Sequence, residues 1–109
     1  MKKEAVGVRL RIITVKSEKV LLTYDSEGDF FFYVGGRLEY GETIEEGAKR
    51  EIREECGEDT TFAISKILYI RDFMLLVEGV HSVELFILGD INKFEELEGR
   101  KDPEFGDRN

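Results

Sequence analysis

The chain has a single cysteine, so no disulfide can form within it. That composition suits a reducing compartment, and the expected location is the cytoplasm. There is one proline, Pro103, and no tryptophan. No stretch approaches the roughly 18 apolar residues that a membrane-spanning helix needs. Met1-Lys2-Lys3-Glu4 leads into alternating Val and Arg, not into the apolar block of a signal peptide. No membrane partner is expected. Positive charge is also scarce: 16 Lys and Arg stand against 24 Asp and Glu, a net charge of −8. That balance argues against a nucleic-acid polymer as partner, because affinity for one comes from Lys and Arg neutralising phosphates. A small phosphorylated ligand stays open, provided cations are recruited to meet it.

What is present fits a globular chain: 41% apolar and 37% charged residues over a length of 109. That length suffices for one domain with one modest core. No repeat, low-complexity stretch or linker divides it. We expect a single domain over 1–109, with the polar, aperiodic 99–109 as a flexible tail.

Val6, Val8, Leu10 and Ile12 alternate with Gly7, Arg9, Arg11 and Ile13, the period of a strand. "KSEK" reads as a turn, "VLLTY" as a strand, "DSEGD" as a hairpin turn and "FFFYV" as a short buried strand. "DSEGD" lacks the rest of a twelve-residue calcium loop. "GGRLEYGE" reads as a loop, since its three glycines oppose regular structure. Thr43 with Glu46 forms a capping-box pattern that opens a helix at Ile44, and Gly57 stands where a glycine would close it. "TTFAISKILYIRDFMLLV" predicts one long or two short strands, and "SVELFILGDI" another. Strands surround one helix, which points to an α+β fold with a mixed sheet.

The segment from Gly35 through Asp59 holds nine acidic residues. At about 100° per residue, Ile44, Ala48 and Ile52 form an apolar stripe, with Lys49 and Arg53 roughly opposite. Glu55 falls inside that stripe, Glu51 beside it, and Glu54 flanks Glu51. Glu51–Glu55 and Glu51–Glu54 are like-charge pairs one helical turn apart, each unfavourable by a few tenths of a kcal/mol. Burial multiplies that penalty. The plain reading, solvated charges on a good helix former, leaves unexplained why the basic residues take the face away from the stripe. A divalent cation explains it. Mg²⁺, or Mn²⁺, takes carboxylate oxygens together with substrate phosphates, and turns an acidic pocket into one that attracts phosphate.

The spacing resembles the Nudix hydrolase box. Gly36 is followed by five residues and Glu42, and seven more lead to Arg50-Glu51-Ile52-Arg53-Glu54-Glu55-Cys56-Gly57. Two positions depart from the pattern: Glu58, where the family has an aliphatic residue, and Val34, where proline often precedes the glycines. The resemblance implies a mixed sheet packed between helices, an α/β/α sandwich, though nothing in the C-terminal sequence supplies the usual second helix. It implies a Mg²⁺-dependent pyrophosphohydrolase that cleaves the diphosphate linkage of a nucleoside diphosphate derivative by attack of water on phosphorus. On that resemblance the metal ligands are Glu51, Glu54, Glu55 and the Gly35 carbonyl. Arg50 orients the carboxylates and Glu42 is its ion-pair partner, with Gly36 and Glu42 on the substrate side. The general base is Glu51 or Glu54, with Glu51 the first choice. The partner is a small nucleotide; nucleoside triphosphates, ADP-ribose, dinucleoside polyphosphates and nucleotide sugars all stay open. The oligomeric state stays open, a homodimer being one option. The alternative is a non-catalytic Nudix-like module that binds a nucleotide or a protein, and a third reading is an interaction domain with an acidic helix.

Outside the box, Glu84, Glu95 and Glu98 are candidates for an additional acidic group, against the simpler reading of edge or surface carboxylates. Glu84 shares a strand face with Phe86 and Leu88 if alternation holds. His81 falls in a turn. Cys56 reads as a small buried side chain with no base partner. Arg9 and Arg11 either meet phosphates or solvate a strand face. Tyr24, Phe30, Phe31, Phe32 and Tyr33 read mainly as packing residues.

Overall fold

The computed structural model describes residues 5–97. The chain runs through β1 (Gly7–Ile13), β2 (Val15–Lys16), β3 (Lys19–Val20), β4 (Leu22–Asp25), β5 (Phe30–Arg37), α1 (Ile44–Cys56), β6 (Phe62–Leu75) and β7 (Val80–Ile91). Five strands form one sheet in the order β4-β5-β1-β7-β6. β1 and β7 run parallel and every other neighbouring pair antiparallel, so the sheet is mixed, as expected.

The alternation along β1 decides which face is core. Leu10 and Ile12 lie beside Leu85 and Ile87 of β7 and are fully buried. α1 lays Ala48, Ile52 and Cys56 onto them, with Val34 of β5 closing the cluster. Burying one such aliphatic side chain stabilises the fold by about 1.5–3 kcal/mol. The helix begins as its sequence indicates. Thr43 Oγ1 accepts the Glu46 amide at 3.1 Å, and Glu46 Oε1 accepts the Thr43 amide at 2.9 Å. It ends at Gly57, whose φ of 117° favours glycine and whose N–H bonds the Arg53 carbonyl.

Three expectations need correction. The glycines of "GGRLEYGE" do not start a loop: β5 continues through Gly35 and Gly36 to Arg37, because β1 supplies Arg11, Leu10 and Arg9 as their partners. The loop is confined to 38–43. His81 lies in β7, opposite Met74, because a 3₁₀ turn at Leu76–Glu78 and a left-handed Gly79 complete the reversal before Val80. Glu84 is no edge or surface carboxylate: β7 lies between β1 and β6, and Glu84 is 1% exposed. The fold class is as expected: among the described residues one α-helix packs on one face of the mixed sheet. Residues 98–109, including Glu98, the proposed tail and any C-terminal helix, lie outside the described residues. No helix among the described residues is long and apolar enough to cross a membrane.

Candidate active site

The N-terminal half of α1 is good helix former with acidic residues in its first turn, which suits the helix dipole. Its packing phase, set by Ala48 and Ile52, turns Glu51 and Glu55 inward. They are 7% and 8% exposed. Glu54, one residue round the helix, stays on the exposed rim. Of the three box glutamates read from sequence as lying on or beside the packed face, two are buried.

Their inward turn needs space, and glycine makes it. A Cβ on Gly36 would lie 2.6 Å from Glu51 Oε2. At Gly35, where φ is 146°, a Cβ would run into the Leu10 carbonyl. Without side chains there, β5 passes close beneath the helix, and the Gly35 amide donates to Glu55 Oε2 at 3.2 Å. Thr23 of β4 donates to the other Glu55 oxygen at 3.4 Å.

Arg50 ties the remaining carboxylates together. It grips Glu42 through Nε at 2.6 Å and Nη2 at 3.0 Å. Nη1 donates to Glu51 at 2.9 Å and to Glu54 at 3.3 Å, and Nη2 also donates to the Arg37 carbonyl. These contacts, those with Glu42 first, hold the guanidinium charged far above its ordinary range and pull the Glu42 carboxyl below its own. Glu42 also accepts the Glu39 amide, which pins the loop onto the helix.

Phe32, Gly35, Gly36, Arg37, Glu39, Arg50, Glu51, Glu54 and Glu55 line a cleft of about 350 Å³. Every box position read from sequence as a site residue is therefore on this cleft except Glu42, which reaches it through Arg50. Sequence reading missed Phe32, Arg37 and Glu39 as lining residues, and Thr23 as a partner of Glu55. Arg37 and Glu39 sit beside the box and were within reach of a spacing argument. Thr23 was not, because only the pairing of β4 with β5 brings it there. Glu95 stands elsewhere, exposed and paired with Lys16 at 2.9 Å. Cys56 is buried at the end of the helix.

A model of the NUDIX domain matches residues 3–107. The chain belongs to the NUDIX family. Among solved structures, the NUDIX hydrolase from Nitrosomonas europaea is 21% identical with a TM-score of 0.70, over 80% of this chain and 60% of that one. The MutT NUDIX hydrolase from Burkholderia pseudomallei is 24% identical with a TM-score of 0.66, over 80% and 68%. An ADP-ribose pyrophosphatase from Streptococcus suis is 13% identical with a TM-score of 0.63, over 81% and 62%. These likenesses establish a shared fold. The chain spans about 60% of the length of the first of them.

NUDIX hydrolases generally use divalent metal ions. Among the described residues, no three His, Cys, Asp or Glu side chains are grouped as a ready ion cage. The Arg50 guanidinium is bonded to Glu42, Glu51 and Glu54. In kind, however, the donors suit a hard cation: carboxylate and peptide oxygens on one cleft, with no sulfur or imidazole. Glu51 and Glu55 are buried carboxylates side by side on one helix, a costly arrangement that a cation relieves.

Proposed function

We propose that this NUDIX chain is a pyrophosphohydrolase that uses Mg²⁺, or Mn²⁺ in its place, to cleave the diphosphate linkage of a nucleoside diphosphate derivative. One observation carries the reading: Glu51 and Glu55 are buried carboxylates on the packed side of a helix, opening with Glu54 onto one cleft floored by glycine backbone. A protein that only needed a solvated helix would gain stability by placing apolar residues there.

Glu51, Glu54, Glu55 and the Gly35 carbonyl hold the ion. When bound, it polarises phosphoryl oxygens, offsets the charge that develops on them and lowers the pKa of coordinated water. Arg50 keeps the glutamates aligned and Glu42 anchors Arg50. Gly36 keeps the wall thin enough for the diphosphate to approach. Glu51 takes the proton from the attacking water, with Glu54 as the other choice of base. The named activity of the Streptococcus suis neighbour, on ADP-ribose, is one instance of this substrate class. A single cysteine, which can form no disulfide within the chain, supports a reducing, cytoplasmic setting. The exposed apolar residues along the edge strand β6, Ile67 to Ile70, support a homodimer, which light scattering tests.

The test is a panel of nucleoside triphosphates, ADP-ribose, dinucleoside polyphosphates and nucleotide sugars with Mg²⁺, reading phosphate against pyrophosphate release. Glu54→Gln and Glu55→Gln abolish turnover and retain the far-ultraviolet circular dichroism of the parent. Hydrolysis near the parent rate in either variant overturns the assignment of the ligands.

A further inference from the structure

The cleft has an aromatic end that the chemistry at phosphorus does not use. Phe32 lines it together with the glycines and the glutamates. Alternation along β5 puts Phe30, Phe32, Val34 and Gly36 on the face that α1 covers. Val34 is buried in the core beneath the helix, whereas Phe32 is half-buried and Phe30 is 50% exposed. Neither phenylalanine joins the core cluster. Their ring centroids are 5.7 Å apart and their planes are tilted by 47°. Phe30 therefore extends the apolar surface that Phe32 presents to the cleft.

The neighbouring strand fixes where this surface stands relative to the carboxylates. Thr23 of β4 is directly opposite Phe32 and donates to Glu55. Phe32 is thus next to Glu55, at one end of the carboxylate row. Gly36, which faces Glu51, is about 13 Å further along β5 at the usual rise of a strand. The polar side chains on β4 beside the two rings are engaged within the protein. The Thr23 hydroxyl is on Glu55, and Asp25, opposite Phe30, accepts the Glu27 and Gly28 amides through Oδ1 at 3.0 and 3.3 Å.

We propose that Phe32 and Phe30 together select a purine nucleotide, and that they do so by ring area and not by the edge of the base. This rests on the hydrolase reading above and narrows its substrate class. An apolar ring beside a carboxylate cluster gains by covering the flat apolar part of a ligand, not its phosphates. Stacking on an aromatic side chain tolerates every base, since each has a π face, and preferences arise from stacking strength. One phenyl ring offers a surface matched to a monocyclic pyrimidine. A second ring 5.7 Å away lets both halves of a fused bicycle find contact. With Thr23 and Asp25 engaged elsewhere, adenine and guanine, which differ only at their edges, are treated alike. The nucleoside then lies at the Glu55 end, and its phosphates run along β5 towards Gly36 and Glu51.

The experiment measures kcat and KM with Mg²⁺ for triphosphates bearing adenine, guanine, cytosine and uracil, in the parent, Phe30→Leu and Phe30→Tyr. In the parent the two purine compounds agree within about threefold in kcat/KM and exceed the pyrimidines about tenfold. Phe30→Leu removes most of that advantage by raising KM for the purines alone, and Phe30→Tyr, which keeps the ring, retains it. No purine preference in the parent, a wide split between adenine and guanine, or equal losses on all four compounds in a folded Phe30→Leu overturns the proposal. Thermal melting shows whether each variant is folded. If the parent hydrolyses none of the four and nothing in the panel above, the hydrolase reading fails on its own. Calorimetry with adenosine monophosphate and cytidine monophosphate, without metal, then decides the purine site, as it does if Phe30→Leu fails to fold. Binding of the adenine compound about tenfold tighter than the cytosine compound supports it; equal binding, or none, overturns it.

Discussion

Glu51 occupies the space that Gly36 leaves empty: a Cβ on that glycine would stand 2.6 Å from one carboxylate oxygen and 2.9 Å from the carboxyl carbon. A backbone position on one strand thereby decides where a helix side chain can go. Gly36→Ala pushes Glu51 out of the cleft. We expect loss of turnover with a stability decrease of about 1–3 kcal/mol, the usual range for overpacking. Steady-state kinetics and thermal melting check it. Parent-level kcat in a folded variant means that Glu51 is not required in this position.

Arg50 makes five hydrogen bonds to Glu42, Glu51, Glu54 and the Arg37 carbonyl from one planar group. Arg50→Lys keeps the charge and loses the geometry. It costs about 1–2 kcal/mol, discounted for partial exposure. It lowers kcat more than it raises KM, since the carboxylates lose alignment while the substrate keeps its contacts. A change confined to KM argues for a direct substrate contact.

The Glu42–Arg50 pair gives stability a dependence on pH. The hydrogen bonds from Arg50 hold the Glu42 carboxyl below its ordinary value of 4.5 in the folded chain. Stabilisation is therefore complete above the unfolded value and disappears as pH falls through the folded one. Glu42→Gln lowers the melting temperature at pH 7 and flattens its fall below about pH 5. Parallel melting curves for parent and variant across that acid range contradict this.

Glu84 has a structural role that mutation can separate from catalysis. It is buried between Arg11 and Arg71, and the Arg71 guanidinium also rests over Phe73 and Phe86 at 5.7 and 5.5 Å. Glu84→Gln leaves Arg11 largely buried beside a neutral amide, at a cost of about 2–4 kcal/mol, near the low end for broken buried pairs because Arg71 is half exposed. Denaturant titration measures that loss, and turnover per folded molecule stays within about twofold, a change of a few tenths of a kcal/mol. Loss of Mg²⁺-dependent turnover without loss of stability returns Glu84 to the list of metal-site residues.

Much of this was legible before any coordinates. The helix from Ile44, its Thr43–Glu46 cap, its stop at Gly57 and the inward turn of Glu51 and Glu55 are consequences of periodicity and capping within a single segment. The strand at β1 was equally plain. Gly35 and Gly36 misled, because isolated glycines favour loops, and only pairing with Leu10 and Arg11 keeps them in a strand. Glu84 misled for a similar reason: alternation gives the face of a strand but not its rank in the sheet.

Sequence alone determined the acidic helix, the glycine spacing before it and therefore the family, since each of these is read between residues a few positions apart. Tertiary structure decided that β7 lies inside the sheet, that Thr23 meets Glu55 across 32 positions, and that Arg9 faces Arg37 while Glu84 serves other partners. Those outcomes depend on which strands pair and in what register, and that is settled by the packing of the whole core, not by any local run of residues.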